Sequence, residues 1–320
     1  KQHELQDALS ASSYIVHSMD YVDGLTSEVL RTPYVLTFDP SDGSDTLFVS
    51  SFTLNHVVRL RIDSVRRRRA KYKVFVSGAE LDGPVGMEVV GGALYIASFT
   101  NDKVLRVNKT TGEFLGSFGN EEELDCPEGI ALGPDGTLYV TSFLKKTVAR
   151  YEPASGKYLG AFGSKQIGSP PMPDLLGAED VAVDWAGDVH VTAYHSGRVF
   201  KFNGTSGAFV AAYGRGVVDG PVGIACGPED GHMYVASYRS NQVLRFTPSG
   251  QFVGVAVGAR ADGSSRRSSF GDQRLIYSPT GVAFDPHDGR TLHVLSYVGG
   301  AVVRFNNTAA GARTFWRVVD

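Results

Sequence analysis

Cysteine is nearly missing from this chain: only Cys126 and Cys226 occur among 320 residues. Two are too few to indicate a redox compartment. They fall at different depths of non-neighbouring repeats, so no bridge between them is expected, and both read as buried thiols. Charge of one sign is also lacking. The net charge of −3 predicts no general attraction to nucleic acid or to an anionic membrane. Long apolar runs are absent too. The longest, Phe252 to Ala259, is interrupted by two glycines and is strand-sized, well short of the roughly 18–20 residues that span a bilayer. The chain opens at Lys1 with neither Met nor a signal-peptide pattern, so the expectation is a removed leader or a domain cut from a larger protein.

What the chain does have is one phrase written six times: a small residue, an aromatic, four variable residues, Val, one more residue, then Arg or Lys. The copies begin at Ser51-Phe52, Ser98-Phe99, Ser142-Phe143, Ala193-Tyr194, Ser237-Tyr238 and Ser296-Tyr297. Their basic residues are Arg59, Arg106, Arg150, Lys201, Arg245 and Arg304. A period of about 45 residues built from short strands signifies a closed ring of blades.

Each repeat has the same grammar. A Pro/Gly segment and short apolar strand come first, as in Pro84-Val85-Gly86-Met87 and Pro127-Glu128-Gly129-Ile130. A tight turn follows, such as Gly133-Pro134-Asp135-Gly136, made of residues that tolerate turn dihedrals. An alternating strand comes next, then the strand carrying Val-x-Arg, then a hairpin into a Gly/Phe-rich strand. Four antiparallel strands in six copies predict an all-β fold, a six-bladed β-propeller spanning residues 32–320. Residues 1–31 form an N-terminal segment. Within it, 14–19 read as a strand that closes the last blade or adds to an edge, and 313–319 compete as that blade's own fourth strand.

The runs Gly83 to Arg106, Cys126 to Tyr151 and Gly220 to Phe246 resemble the NHL-repeat family. Ser98, Ser142 and Ser237 stand where the usual NHL phrase has Asp, and the aromatic that follows is similar to YVTN and virginiamycin-B-lyase-like propellers. The resemblance covers about residues 30 to 320. It implies the propeller fold, and it implies hosts as varied as docking modules, lyases and lactonases. Fold alone therefore selects no function.

Candidate sites follow from the repeat columns. The residue after each blade-opening Pro is Tyr34, Val85, Glu128, Glu179, Val222 or Thr280, and this column is expected at the mouth of the central channel. Glu128 and Glu179 come from adjacent blades and would face each other. Such a pair can bind calcium or do acid–base work, or it can be solvated or matched by Lys or Arg. The aromatics Phe52, Phe99, Phe143, Tyr194, Tyr238 and Tyr297 end the second strands on the same rim, beside His195 and Arg239. They form a binding platform for a peptide or glycan, or they plug the gaps between blades. His190 and His293 fall in a structural aromatic column, and no trio of histidines converges on a zinc site. The basic run Arg66, Arg67, Arg68, Arg69 and Lys71 sits in a hairpin on the opposite rim. It reads as a docking hairpin for acidic protein or acidic glycan, or as a solvated turn. Two long connections, within 163–176 and 258–277, are expected on the channel-mouth face. Asn108, Asn203 and Asn306 open N-glycosylation sequons at equivalent hairpins.

These features favour a non-enzymatic propeller that docks a protein or acidic glycan, secreted or at the cell surface, with no nucleic-acid partner, no membrane span and no cofactor. The alternatives are a metal-assisted lyase or lactone hydrolase at the channel mouth, with calcium as the metal, and an intracellular NHL interaction module.

Overall fold

The computed structural model describes residues 29–41, 45–62, 70–163, 175–258 and 276–306. The ring-closing strand at 14–19, the alternative at 313–319, the run Arg66 to Arg69 and the middles of both long connections lie outside the described residues. Blade one comprises β1 (Pro33–Phe38), β2 (Asp45–Ser51), β3 (His56–Ile62) and β4 (Ala70–Ser77), the last containing Lys71. Blade two comprises β5 (Pro84–Val90), β6 (Ala93–Ser98), β7 (Lys103–Asn108) and β8 (Phe114–Phe118). Blade three runs through β9 (Pro127–Leu132), β10 (Leu138–Ser142), β11 (Thr147–Glu152) and β12 (Lys157–Phe162). Blade four runs through β13 (Ala178–Val183), β14 (Val189–Ala193), β15 (Arg198–Phe202) and β16 (Phe209–Tyr213). Blade five runs through β17 (Pro221–Cys226), β18 (Met233–Ser237), β19 (Gln242–Phe246) and β20 (Phe252–Val257). Blade six shows β21 (Pro279–Phe284), β22 (Thr291–Ser296) and β23 (Ala301–Asn306) among the described residues. Every pairing is antiparallel and sequential, which makes the fold the expected six-bladed propeller. No helix among the described residues is long and apolar enough to cross a membrane.

The repeated phrase is a set of clamps. Ser142 Oγ accepts from Asp125 N at 2.8 Å and donates to Asp125 O at 3.0 Å. Ser51, Ser98, Ser237 and Ser296 make the same double bond to Arg31, Asp82, Asp219 and Tyr277. The next residue in each blade opening has a left-handed backbone: Thr32, Gly83, Cys126, Gly177, Gly220 and Ser278 have φ between 48° and 69°. The backbone N–H of every collar-column aromatic donates to the carbonyl of that residue, as Phe143 N does to Cys126 O at 3.0 Å. The turn after the second strand then ties one blade to the next. Asn55, Asp102 and Asn241 accept from the N–H groups of Gly83, Cys126 and Ser278 at 2.8, 2.8 and 2.7 Å.

The basic column performs a second inter-blade tie. Arg59 donates to Thr110 O at 3.0 Å, Arg150 to Thr205 O at 3.4 Å and Lys201 to Pro248 O at 3.1 Å, each in the outer hairpin of the following blade. Arg106 reaches Ala154 O in the same way. Apolar clusters fill each blade interface, for example Phe162 of blade three against Phe200 and Phe202 of blade four. Blade six meets blade one through Leu295 and Val302 packed on Leu36 and Val49, and through the Thr280 hydroxyl on Pro33 O at 3.3 Å.

Cys126 and Cys226 are free thiols, the first buried and the second half-buried. His190 is fully buried, held by the Tyr213 hydroxyl at 2.9 Å and Asp184 Oδ2 at 3.0 Å. His293 is buried edge-on against Phe38 at 4.9 Å. Both are packing residues.

Removing one serine clamp strands a backbone N–H and C=O. Ser142→Ala is expected to cost about 1–3 kcal/mol by urea denaturation, whereas Ser155→Ala, on an exposed turn, should change stability by under about 0.5 kcal/mol. Equal effects would remove the clamp from the account.

Candidate functional site

The innermost strands β1, β5, β9, β13, β17 and β21 line the channel, and they approach backbone to backbone. A Cβ on Gly129 would lie 2.6 Å from Asp180 Cα, and one on Gly86 would lie 2.0 Å from Glu128 O. Glycine therefore fills most of this column, as Gly86, Gly129, Gly223 and Gly281. Asp180 is an exception with a purpose. Its carboxylate accepts from Val181 N at 2.9 Å and from Ile224 N of the next blade at 3.0 Å. The Thr141 and Thr192 hydroxyls bridge blades at the same level. Thr141 Oγ1 accepts from Gly129 N at 2.7 Å and donates to Glu179 O at 2.5 Å.

One residue nearer the mouth, the post-proline column converges as the sequence indicates. Tyr34, Val35, Val85, Glu128, Gly129, Glu179, Asp180, Val222 and Gly223 line a cleft too narrow to hold a water molecule. Glu128 and Glu179 face each other, but they are neither solvated nor matched by Lys or Arg. They are 4% and 5% exposed. The Tyr34 hydroxyl donates to Glu179 Oε2 at 2.7 Å. The Glu128 carboxyl is hydrogen-bonded to Glu179, as two facing carboxyls can be when one of them keeps its proton. The solvated expectation fails because the first strands close around the axis and leave no room for bulk water beside the carboxyls.

Burial dominates the acid–base state here. It holds the Glu128 carboxyl well above the usual range, and the Glu179 charge adds to it. Burial pushes Glu179 up to about 7 against the Tyr34 hydrogen bond. It pushes Asp180 to about 7 against two backbone hydrogen bonds. Deeper in the channel Glu88 is pushed to about 8 by burial and then by Asp180. Glu88 and Asp180 are half-buried, against the nearly complete burial of Glu128 and Glu179. Tyr34 is raised well above its ordinary value by burial, then by Glu128.

Sequence reasoning missed Asp180 and Glu88. The signal was available as a break in the grammar: Asp180 stands in a glycine column, and Glu88 stands where Ala131, Ala182, Ala225 and Ala283 stand in other blades.

Above the acids lies a nearly continuous aromatic collar. Phe52 meets Phe99 at 5.8 Å, Phe99 meets Phe143 at 6.5 Å, and His195 bridges Phe143 and Tyr194 at 5.7 and 5.3 Å. Tyr194 meets Tyr238 at 6.1 Å and Tyr238 meets Tyr297 at 5.9 Å. Tyr34 joins collar to floor, 6.3 Å from Phe52. The rings also plug gaps between blades, since Phe52 lies against Gly83 and Tyr194 against Gly220 of the following blades. These contacts match the expectation that the rings plug the gaps between blades. All but Phe99 keep partly exposed surfaces, and Thr53, Thr100, Leu144, His195 and Arg239 stand exposed around them. The Arg239 guanidinium lies 4.9 Å over the Tyr194 ring and 3.6 Å from Asp219.

Two carboxylates and one phenol supply few of the six to eight oxygens that calcium takes. Among the described residues the trio with metal-ligand spacing is elsewhere: Asp102, Asp125 and Cys126. There Asp102 already accepts from Cys126 N. Of the sequon residues, Asn108 caps its own turn through Thr110 N and Thr111 N at 2.9 and 3.0 Å. Asn203 is exposed and caps Ser206. The Asn306 side chain lies outside the described set.

A carboxyl with a higher pKa folded than unfolded stabilises the fold in its protonated form. That contribution is whole below the ordinary value of 4.5 and is lost as pH rises through about 7. Buried neutral His190 and His293 act oppositely below about 6.5, so the clean window lies above that value. The melting temperature is expected to fall from pH 6.5 to about 8, as Glu179 and Asp180 near 7 and Glu88 near 8 lose their protons, corresponding to about 1–3 kcal/mol, and Glu128→Gln should flatten that slope. A slope identical in Glu128→Gln would show that the pair does not control it.

No protein-family model and no curated protein sequence matches the chain, so the NHL membership expected from the motifs has no family match behind it. Solved structures do match. Virginiamycin B lyase from Staphylococcus aureus superposes with a TM-score of 0.61 at 14% identity, over 94% of this chain and 87% of that one. An auxiliary nutrient binding protein from Bacteroides ovatus gives 0.62 at 16%, over 86% and 69%. Its counterpart from Bacteroides thetaiotaomicron gives 0.61 at 14%, over 86% and 69%. The fold is thus similar to that of virginiamycin-B-lyase-like propellers, and at such identities the likeness concerns the fold alone.

Proposed function

We propose that this propeller is a non-enzymatic docking module whose channel-mouth face binds a protein partner. The observation that carries this reading is the aromatic collar. Six rings pack edge-to-face or tilted, five of them leave part of their surface in solvent on the rim, and Arg239 stands among them. Partly exposed aromatics and arginine concentrate binding energy at protein interfaces. The nutrient-binding neighbours agree with binding as a use of this architecture.

The lyase neighbours and the Glu128–Glu179 pair favour a second reading, acid–base catalysis at the channel mouth. Its weakness is room. The cleft beside the two carboxyls has no room for even a water molecule, whereas small-molecule sites enclose roughly 300–1,000 Å³. A secreted setting is part of the proposal, and it rests on the sequons at the exposed Asn203 turn and the half-buried Asn108 turn.

Lysines occur on both faces, so cross-linking mass spectrometry on protein from its native source separates the possibilities. Lys103, Lys145 and Lys146 flank the turns after the second strands, at the mouth. Lys109 and Lys157 flank the opposite hairpins. Cross-links from the first group to one partner are expected, with glycan on Asn203 in the same digest. Tyr238→Ala with Arg239→Ala should reduce partner capture at least about tenfold, the scale of hot-spot loss. Cross-links confined to the second group, or capture unchanged in the double variant, would refute docking at the mouth.

A further inference from the structure

We propose that Trp185 is the stacking platform of a saccharide site on the face opposite the mouth, and that it takes one neutral pyranose unit whose hydroxyls are all equatorial. This site stands apart from the mouth and does not depend on docking there.

The strand β13 starts at the mouth and runs away from it, so the turn 184–188 between β13 and β14 lies at the far face. In four other blades the same turn opens with Asp39-Pro40, Gly133-Pro134, Gly227-Pro228 and Asp285-Pro286. Proline suits this place, because its φ is pre-set for the second residue of a tight turn. Blade four has Trp185 instead. It is 68% exposed, more than any other large apolar side chain among the described residues. An indole left in water adds little to folding, and a proline would serve the turn. The fold therefore gives no reason for the tryptophan.

The surroundings hold the ring in one pose. Asp184 accepts from Ala186 N and Asp188 N, both at 2.9 Å, and is itself fixed by His190 and Lys201, each at 3.0 Å. The Cys226 sulfur accepts from the Trp185 N–H and donates to Gly231 O at 3.7 Å, which ties the turn to blade five. Gly231 is the seat of the ring. A Cβ there would lie 3.2, 3.3 and 3.4 Å from Cε3, Cζ3 and Cδ2 of Trp185, neighbouring atoms of one ring at nearly one distance. The benzene half of the indole thus lies face-on to this glycine, whose φ of +65° also disfavours a side chain. Backbone covers one face of the ring, and the other looks into solvent.

Ring faces attract cations, but the local charges leave no place for an ion. The charged side chains of the two turns are already matched: Asp184 and Asp188 by Lys201, Glu229 by Arg290, and Asp230 by His232 and Arg245. A cation or an anion would have to displace one of these partners. An apolar protein plug fits no better. Hot spots of protein interfaces sit in well-packed, desolvated pockets. Here no other exposed large apolar side chain among the described residues belongs to a turn between first and second strands. What fits is a neutral molecule, apolar on one face and polar at its edge. A pyranose with equatorial hydroxyls has that form. Its axial C–H bonds make a flat face for an aromatic ring, and its hydroxyls point outward in the ring plane. Carboxylates with spare acceptor capacity belong to both turns: Asp188 closes the turn that carries the ring, and Asp230 precedes its seat. An axial hydroxyl on the stacked face would hold the sugar off the indole.

The test uses the whole chain and the probe cellotetraose, whose glucose rings carry only equatorial hydroxyls. The chain has two tryptophans, Trp185 and Trp316, so a Trp316→Phe background makes indole emission a reading of Trp185 alone. Cellotetraose should shift that emission saturably, and sorbitol at equal hydroxyl concentration should not. Saturation-transfer NMR should show stronger transfer to the ring C–H protons than to the C6 methylene. Trp185→Pro, the residue of the equivalent turns, and Trp185→Ala should each weaken cellotetraose binding at least about fivefold, the scale of one aromatic stacking contact, with an unchanged β-sheet spectrum. Absence of a saturable shift, or NMR binding unchanged in both Trp185 variants, would overturn the proposal. A tighter, Trp185-dependent response to Nα-acetyl-arginine methylamide would also overturn it, in favour of a cation seat. If the Phe or Pro variant does not fold, NMR on the wild type against Trp185→Ala decides alone. Tyr238→Ala with Arg239→Ala should leave cellotetraose binding unchanged. Its loss in that double variant would move the sugar to the mouth and refute the site at Trp185, whereas partner capture lost there with sugar binding intact would keep both readings.

Discussion

Six innermost strands meet backbone to backbone around the axis, and the width of the bore follows from that contact. Where a Cβ would fall 2.0 Å from Glu128 O or 2.1 Å from Thr280 O, only glycine fits. The strands consequently draw together until the post-proline side chains one step nearer the mouth touch across the channel. A carboxyl on such a column cannot reach water by rotating outward, because its neighbours occupy every other direction. The buried Glu128–Glu179 pair is therefore a product of blade closure. The same closure leaves the aromatics of the second-strand ends within ring contact of one another.

The acids are not needed to build the ring. Val85 and Val222 hold the equivalent places in blades two and five, and both are buried there. A valine at either acid position would keep the apolar contacts and avoid the desolvation that drives both carboxyls upward. Groups that burden stability while their neighbours show the apolar solution are best explained by use.

Much of the architecture was legible because the hydrogen-bond scheme is written in the sequence at a fixed period. Ser142 and the equivalent serines are clamps, Arg59, Arg106, Arg150 and Lys201 are inter-blade ties, and the pre-proline residues carry the left-handed turn. Each rule recurs often enough to be read without coordinates. The candidate site was only half legible. Glu128, Glu179 and the aromatic column could be placed by register, since register sets which face a side chain takes. Burial could not be read, because it arises from neighbouring blades that lie some 45 residues away along the repeat. Asp180 and Glu88 were overlooked for a related reason. They break columns that are otherwise glycine and alanine, and a search for recurring phrases discards what fails to recur.

That asymmetry bears on how the mouth can work. A collar of six near-equivalent aromatics offers a ligand six near-equivalent orientations. The acids remove that degeneracy, because they occupy blades three and four only, with Asp180 beside them and Glu88 on blade two. Tyr34 reaches across from blade one to bond Glu179, so the floor has a defined polar side opposite Val222. Arg239 stands on blade five, over Tyr194 of blade four, and places positive charge in one sector of the rim. A partner presenting an acidic or polar group toward Arg239 is held there in a single orientation. Repeat symmetry supplies the surface, and the few departures from it supply the direction.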